Sequence, residues 1–111
     1  MKPLDVKDPK FPVEQVIYDD DKFSIIWGPW NNDGVNGLGM RWNRLPREPG
    51  FPLASGKPAW LVIPLDLSLP FLTALLGKRH TNNVAVLQAI QELEANGALS
   101  SGIASNSATT P

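Results

Sequence analysis

The sequence predicts an α+β fold, in which a four-stranded, mostly antiparallel sheet carries a C-terminal helical hairpin on one face. Three patterns favour this fold class. Strand-like segments flank a stretch dense in turn-forming residues, a continuously apolar run follows near residue 60, and leucine-rich segments with helical spacing come after it. A chain of 111 residues that is 42% hydrophobic is the size of one domain with a modest core.

β-Branched residues predict a first strand near residues 13–18, and alternating apolar residues predict two more near 23–28 and 38–43. The segment between the second and third strands is rich in Asn, Asp and Gly, which tolerate the positive φ angles of tight turns. Those two strands should therefore form a hairpin. The alternation turns Trp27 and Trp42 inward, so we expect them to pair across the hairpin, with Arg41 on the opposite face.

The fourth strand is predicted over residues 59–64, a continuously apolar run. Such runs are typical of strands buried on both faces, so we expect this one near the centre of the sheet. The preceding segment, residues 44–58, has four prolines, two glycines and no periodicity. It should form a long loop over one end of the sheet.

Two helices are predicted near residues 68–76 and 83–96. Pro70 suits the opening turn of the first helix, with Asp66 or Ser68 as its N-cap, and Asn82 or Asn83 can cap the second. The apolar residues expected to face the sheet are Leu69, Leu72, Leu75 and Leu76 in the first helix, and Val84, Leu87, Ile90 and Leu93 in the second.

The predicted organisation is an irregular arm over residues 1–12, a single α+β domain over 13–99 and a low-complexity tail over 100–111. If the arm packs on the domain, Leu4, Val6 and Phe11 are the residues expected to do so. The charged, proline-broken start has no apolar signal-peptide core, and we expect a cytoplasmic protein without a membrane segment.

The composition disfavours several classes of function. Ten basic and eleven acidic residues leave a net charge of −1, which gives no general attraction to nucleic acid. The chain has no cysteine and one histidine, His80, and it carries no hydrolase or metalloprotease motif. The acidic run at residues 19–21 lacks the spacing of a calcium loop and is interpreted as a solvated turn. We therefore predict no catalytic residue, no metal and no cofactor.

Aromatic and arginine residues are the candidates for a binding surface, since both are enriched at interaction hot spots. The candidate binding residues are Trp30, Arg41, Trp42, Phe51 and Trp60. The leading hypothesis is a non-enzymatic interaction module that self-associates as a dimer or larger homo-oligomer. The first alternative is a small-ligand site under loop 44–58, with catalysis left open, in which Arg41 anchors an anion against Trp42 or Trp60. The second is weak binding of single-stranded nucleic acid.

The chain also resembles a small bacterial family of the type encoded by mobile integron gene cassettes. The resemblance spans roughly residues 13–96 and rests on turn and aromatic positions: Trp27-Gly28-Pro29-Trp30, Gly37 to Asn43, Gly50-Phe51-Pro52 and Trp60 to Pro64. It implies a bacterial cytoplasmic protein that is often assembled as an oligomer. It implies no activity and no functional residue.

Overall fold

A computed structural model describes residues 2–32, 35–43 and 50–95 of the chain. Two predicted features, part of the loop over 44–58 and the tail over 100–111, lie outside these ranges. The strands are β1 (Gln15–Asp19), β2 (Phe23–Pro29), β3 (Asn36–Trp42), β4 (Leu53–Ala54), β5 (Lys57–Pro58) and β6 (Leu61–Val62), and the helices are α1 (Leu65–Leu75) and α2 (Asn83–Ala95). Short 3-10 turns occupy Pro3–Asp5 and Trp30–Asn32.

The main sheet has the strand order β1-β2-β3-β6 with antiparallel pairing throughout, which confirms the predicted α+β class. The two short strands β4 and β5 pair separately, within the segment predicted to be a loop. The hairpin of β2 and β3 is regular, with Ile25 opposite Met40 and Trp27 opposite Leu38. Trp27 and Trp42 therefore do not pair, because Trp42 lies opposite Phe23.

The expectation that the apolar run at 59–64 forms a central strand is wrong. Of this run, only Leu61 and Val62 pair within the sheet, and among the described residues they pair with β3 alone, at the edge of the sheet. The run is apolar because two other parts of the chain cover it. Trp60 packs against the N-terminal arm, and Ile63 packs against the helices on the opposite face.

Helix α1 begins at Leu65, earlier than predicted, and Pro70 lies in its interior rather than its opening turn. Pro64 precedes the helix, and no side chain caps the first turn. Instead, the Pro64 carbonyl oxygen accepts hydrogen bonds from the Leu67 amide and, at 3.4 Å, from the Ser68 hydroxyl. At the start of α2, the Asn82 side chain accepts a hydrogen bond from the Ala85 amide at 3.2 Å, which confirms the predicted cap.

The predicted apolar face of α2 is only partly correct. Leu93 is buried, but Val84 and Leu87 are exposed, and small residues take their place against the sheet. The buried residues of α2 are Ala85, Val86, Ala89 and Leu93. Glu92 fixes this orientation by accepting a hydrogen bond from the Trp27 indole nitrogen at 3.2 Å.

Two apolar clusters sandwich the sheet. One lies under the helices, and the other lies between the opposite face and the N-terminal arm. The second cluster comprises Val6, Phe11, Ile26 and Trp60. Of the three arm residues expected to pack, Val6 and Phe11 are buried, while Leu4 is exposed. The arm therefore forms a third layer and closes the face that the helices leave open.

Asp20 organises the turn between β1 and β2. Its carboxylate accepts hydrogen bonds from the amides of Lys22 and Phe23 at 2.9 and 2.7 Å and from the Tyr18 hydroxyl at 3.0 Å. Burial raises the pKa of Asp20, but the hydrogen bonds from Phe23, Tyr18 and Lys22 outweigh it, so the net pKa lies below its ordinary value.

We expect Asp20→Asn to lower the free energy of unfolding at neutral pH by about 1–2 kcal/mol, because an amide replaces a charged acceptor. Because the folded-state pKa is lowered, this stabilisation is present above the unfolded pKa of about 4 and is lost as the pH falls through the folded value. Urea unfolding of the wild type and of Asp20→Asn at several pH values measures the difference in their free energies of unfolding. A gap between them that stays constant down to strongly acidic pH would contradict the assignment.

Candidate interaction surface

Three aromatic residues lie side by side across one face of the sheet. Phe23 of β2 is directly opposite Trp42 of β3, and Trp42 is bridged on its other side to Phe51. The Trp42 amide donates to the Phe51 carbonyl oxygen at 2.8 Å, and the Phe51 amide donates back at 2.9 Å. Directly opposed residues share a face, so the three rings form a row, with 4.7 Å between the ring centroids of Phe23 and Trp42.

A second apolar row lies next to the first. Ile25, Met40 and Leu61 are opposed across β2, β3 and β6. Exposure rises toward the β6 edge. Ile25 is buried and Met40 is half-buried, whereas Leu61 is 50% exposed, Trp42 54% and Phe51 59%. We call the uncovered part of these rows the aromatic corner: Phe23, Met40, Trp42, Phe51 and Leu61.

The path of the helices explains why this corner is uncovered. Both helices lie on the same face as the two rows, since Ile25, Trp27 and Leu38 are in the core beneath them. Helix α2 contacts β1, and α1 contacts β3. Neither helix extends over Trp42 or Leu61. The helices therefore cover only part of this face, and the side chains at the uncovered part are exposed.

Two predicted binding residues, Arg41 and Trp60, lie on the opposite face and are buried. Arg41 is 1% exposed and Trp60 is 4% exposed. The Arg41 guanidinium donates from Nη1 to the Ala59 carbonyl oxygen at 3.0 Å and lies 6.0 Å from the Trp60 ring centroid. Burial lowers the pKa of Arg41. These side chains fix β3 to the chain segment before β6 and offer no contact area to a partner.

Trp30 is half-buried and packs on Phe11 of the arm, with 5.6 Å between ring centroids. Of the five predicted residues, the structure therefore brings together Trp42 and Phe51 and separates them from the other three. Sequence reasoning missed Phe23, Met40 and Leu61 as surface partners. The alternation of β2 and β3 could have suggested Phe23 and Met40. Leu61 could be identified only once the pairing of β6 with β3 was known.

Two cavities border the arm side of the sheet and the β3–β6 edge. One, of about 340 Å³, is lined by Trp30, Val35, Asn36, Gly37, Val62, Ile63, Pro64 and Leu65. The other, of about 430 Å³, lies within the arm and is lined by Leu4, Val6, Lys7, Asp8, Pro9, Pro12 and Val13. Neither is lined by Arg41, Trp42 or Trp60, the residues that the ligand hypothesis requires.

Within residues 2–32, 35–43 and 50–95, no group of three His, Asp or Glu side chains is arranged to hold a metal ion. In the same ranges, no helix has the length and apolar character needed to cross a bilayer.

Comparison with known proteins finds no matching family model, no similar curated protein and no similar solved structure. The resemblance to integron cassette proteins therefore stays a prediction.

Proposed function

We propose that this chain is a non-enzymatic interaction module that self-associates through its aromatic corner. The observation that carries the proposal is the pair Trp42 and Phe51, which lie side by side with more than half of each residue exposed. Reciprocal backbone hydrogen bonds fix their relative position. Rigid, exposed aromatic side chains give contact area at low entropic cost, which is why they dominate interaction hot spots.

The size and charge of the corner favour a second copy of the chain as the partner. Trp42, Phe51 and Leu61 together present on the order of 300 Å² of apolar surface, comparable with patches that mark interaction sites on monomers. No residue of the corner carries a charge. An uncharged apolar patch matches a copy of itself, because two such patches can face each other without burying an unpaired charge.

The alternatives lose residues that they need. Nucleic-acid binding relied on arginine beside tryptophan, but Arg41 is buried beside Ala59 and Trp60. The ligand hypothesis used the same arginine as an anchor. What supports a ligand site is the 340 Å³ cavity beside Trp30 at the β3–β6 edge, and Arg41, Trp42 and Trp60 do not line it.

Light scattering coupled to size-exclusion chromatography tests the proposal. We expect the wild type to form a dimer at micromolar concentration. The double variant Trp42→Ser/Phe51→Ser should be monomeric over the same range, because hot-spot truncations cost about 2 kcal/mol or more each, or roughly 30-fold in affinity.

Leu4→Ser is the matched control, since Leu4 is also an exposed apolar residue but lies on the arm, outside the corner. It should leave the dimer intact. Circular dichroism confirms that each variant is folded. A wild type that stays monomeric at high micromolar concentration would refute self-association, and equal weakening by the control and the double variant would refute the role of the corner.

A further inference from the structure

Helix α1 exposes two large apolar residues on one flank. Leu67 is 47% exposed and Phe71 is 37% exposed, and they lie one turn apart. The buried stripe of the helix is Ser68, Leu72 and Leu75. At 100° per residue, Leu67 and Phe71 lie to one side of this stripe, and Leu69 lies to the other.

This flank faces the β6 edge of the sheet. Helix α2 contacts β1, α1 contacts β3, and the strand order is β1-β2-β3-β6. Helix α2 therefore lies on the β1 side of α1. The flank of α1 that contacts α2 should be more buried than the other flank. Leu69 is half-buried and packs into the core, so its flank is the one that faces α2. Leu67 and Phe71 lie on the other flank, toward the edge where Leu61 is exposed.

We propose that the Leu67–Phe71 flank of α1 seats on the aromatic corner of a second copy, and that the second copy returns the same contact. This inference rests on the proposed self-association and specifies its geometry. A two-fold axis makes such a contact reciprocal: Phe71 of one copy meets the aromatic corner of the other, and the reverse.

The apolar area that a stable dimer buries is larger than the aromatic corner alone. A standard interface buries about 800 Å² per partner, of which about 56–65% is apolar, or roughly 450–500 Å². The corner alone presents on the order of 300 Å² of apolar surface. Adding the exposed parts of Leu67 and Phe71 brings the total to roughly 450–500 Å². The corner and the flank together therefore match the apolar area that a stable dimer needs.

The first test compares single substitutions on the two helices. Phe71→Asp should weaken dimerisation by about 30-fold or more, because it places a charge against the corner. Leu87→Asp is the control, since Leu87 lies on α2 and, at 52%, is more exposed than Phe71. It should change the dimer affinity by less than about threefold. If exposed area alone drove association, the control would have the larger effect.

The second test uses the absence of cysteine from the chain, because each single cysteine variant then carries one thiol. Phe71→Cys protein is mixed with Leu61→Cys protein under a mild oxidant, and mass spectrometry identifies the disulfide products. The mixed disulfide should form at least about tenfold faster than with Leu87→Cys in place of Phe71→Cys, because thiols in one complex react at high effective concentration.

The outcomes separate the inference from the proposed function. If the wild type dimerises and the Trp42→Ser/Phe51→Ser variant is monomeric, but Phe71→Asp has no effect and the mixed disulfide forms no faster than the control, the α1 flank is not the partner surface. Self-association through the corner then stands. A wild type that is monomeric overturns both.

Discussion

Replacing Arg41 with alanine is expected to lower the free energy of unfolding by about 3–5 kcal/mol, a large part of the stability of a small domain. Among the described residues, the following losses contribute to this cost. A fully buried side chain leaves a cavity, the Ala59 carbonyl oxygen loses its donor, and the Trp60 ring loses its contact with the guanidinium. Urea or guanidinium denaturation, followed by fluorescence of the buried tryptophans, measures the effect.

Arg41→Met separates packing from charge in this prediction. Methionine restores most of the volume but donates no hydrogen bond, so we expect a loss of about 1–2 kcal/mol, clearly smaller than for alanine. A loss below about 1 kcal/mol for Arg41→Ala would contradict the buried position of this side chain. Equal losses for both variants would mean that the hydrogen bond, and not the filled volume, dominates.

Arg41 also shows where sequence reasoning stops. The alternation of β3 correctly placed Arg41 on the face opposite Trp42 and Met40. An arginine on the face away from the helices would be exposed if that face were open. The segment that contains Ala59 and Trp60 lies against Arg41, and this contact between distant parts of the chain cannot be read from local periodicity. The prediction of a surface arginine therefore failed because the chain before β6 returns over this part of β3.

The N-terminal arm helps to explain the misplaced fourth strand. A continuous apolar run indicates burial on both faces but does not say what covers them. Here the arm covers Trp60 and the helices cover Ile63, so the run lies at an edge with one strand partner. Strand order depends on contacts between distant segments, which the sequence does not encode locally. The hairpin of β2 and β3 was predictable because its signals are local: alternation on both strands and turn formers between them.

Two residues of the aromatic corner, Trp42 and Phe51, could be predicted from the sequence. Both are aromatic residues of the kind enriched at interaction hot spots, and the structure places them side by side.

The buried face of α2 was predicted incorrectly because helical periodicity was read from the large apolar residues. Val84 and Leu87 are exposed, and alanines face the sheet. Small residues allow a helix to lie close to a sheet, so the buried face of α2 is not its most hydrophobic one.

The pair Gly28 and Gly37 tests the arm layer directly. The two glycines lie directly opposite each other in β2 and β3. A Cβ on Gly28 would overlap the Pro12 carbonyl oxygen of the arm, whereas a Cβ on Gly37 has nothing within 4 Å. We expect Gly28→Ala to cost about 3 kcal/mol, because the arm must move away from the sheet and uncover Phe11 and Trp60. Gly37→Ala should be neutral or stabilise the protein by up to about 1 kcal/mol.

Chemical denaturation measures both glycine substitutions, and limited trypsin digestion identifies the element that moves. Lys7 and Lys10 are cleavage sites within the arm. Because cleavage requires local opening, Gly28→Ala should release the arm faster than wild type under native conditions, and Gly37→Ala should not. If Gly28→Ala is as stable as Gly37→Ala and is cleaved at the wild-type rate, the arm does not lie over β2, and the burial of Ile26 and Trp60 would need another cause.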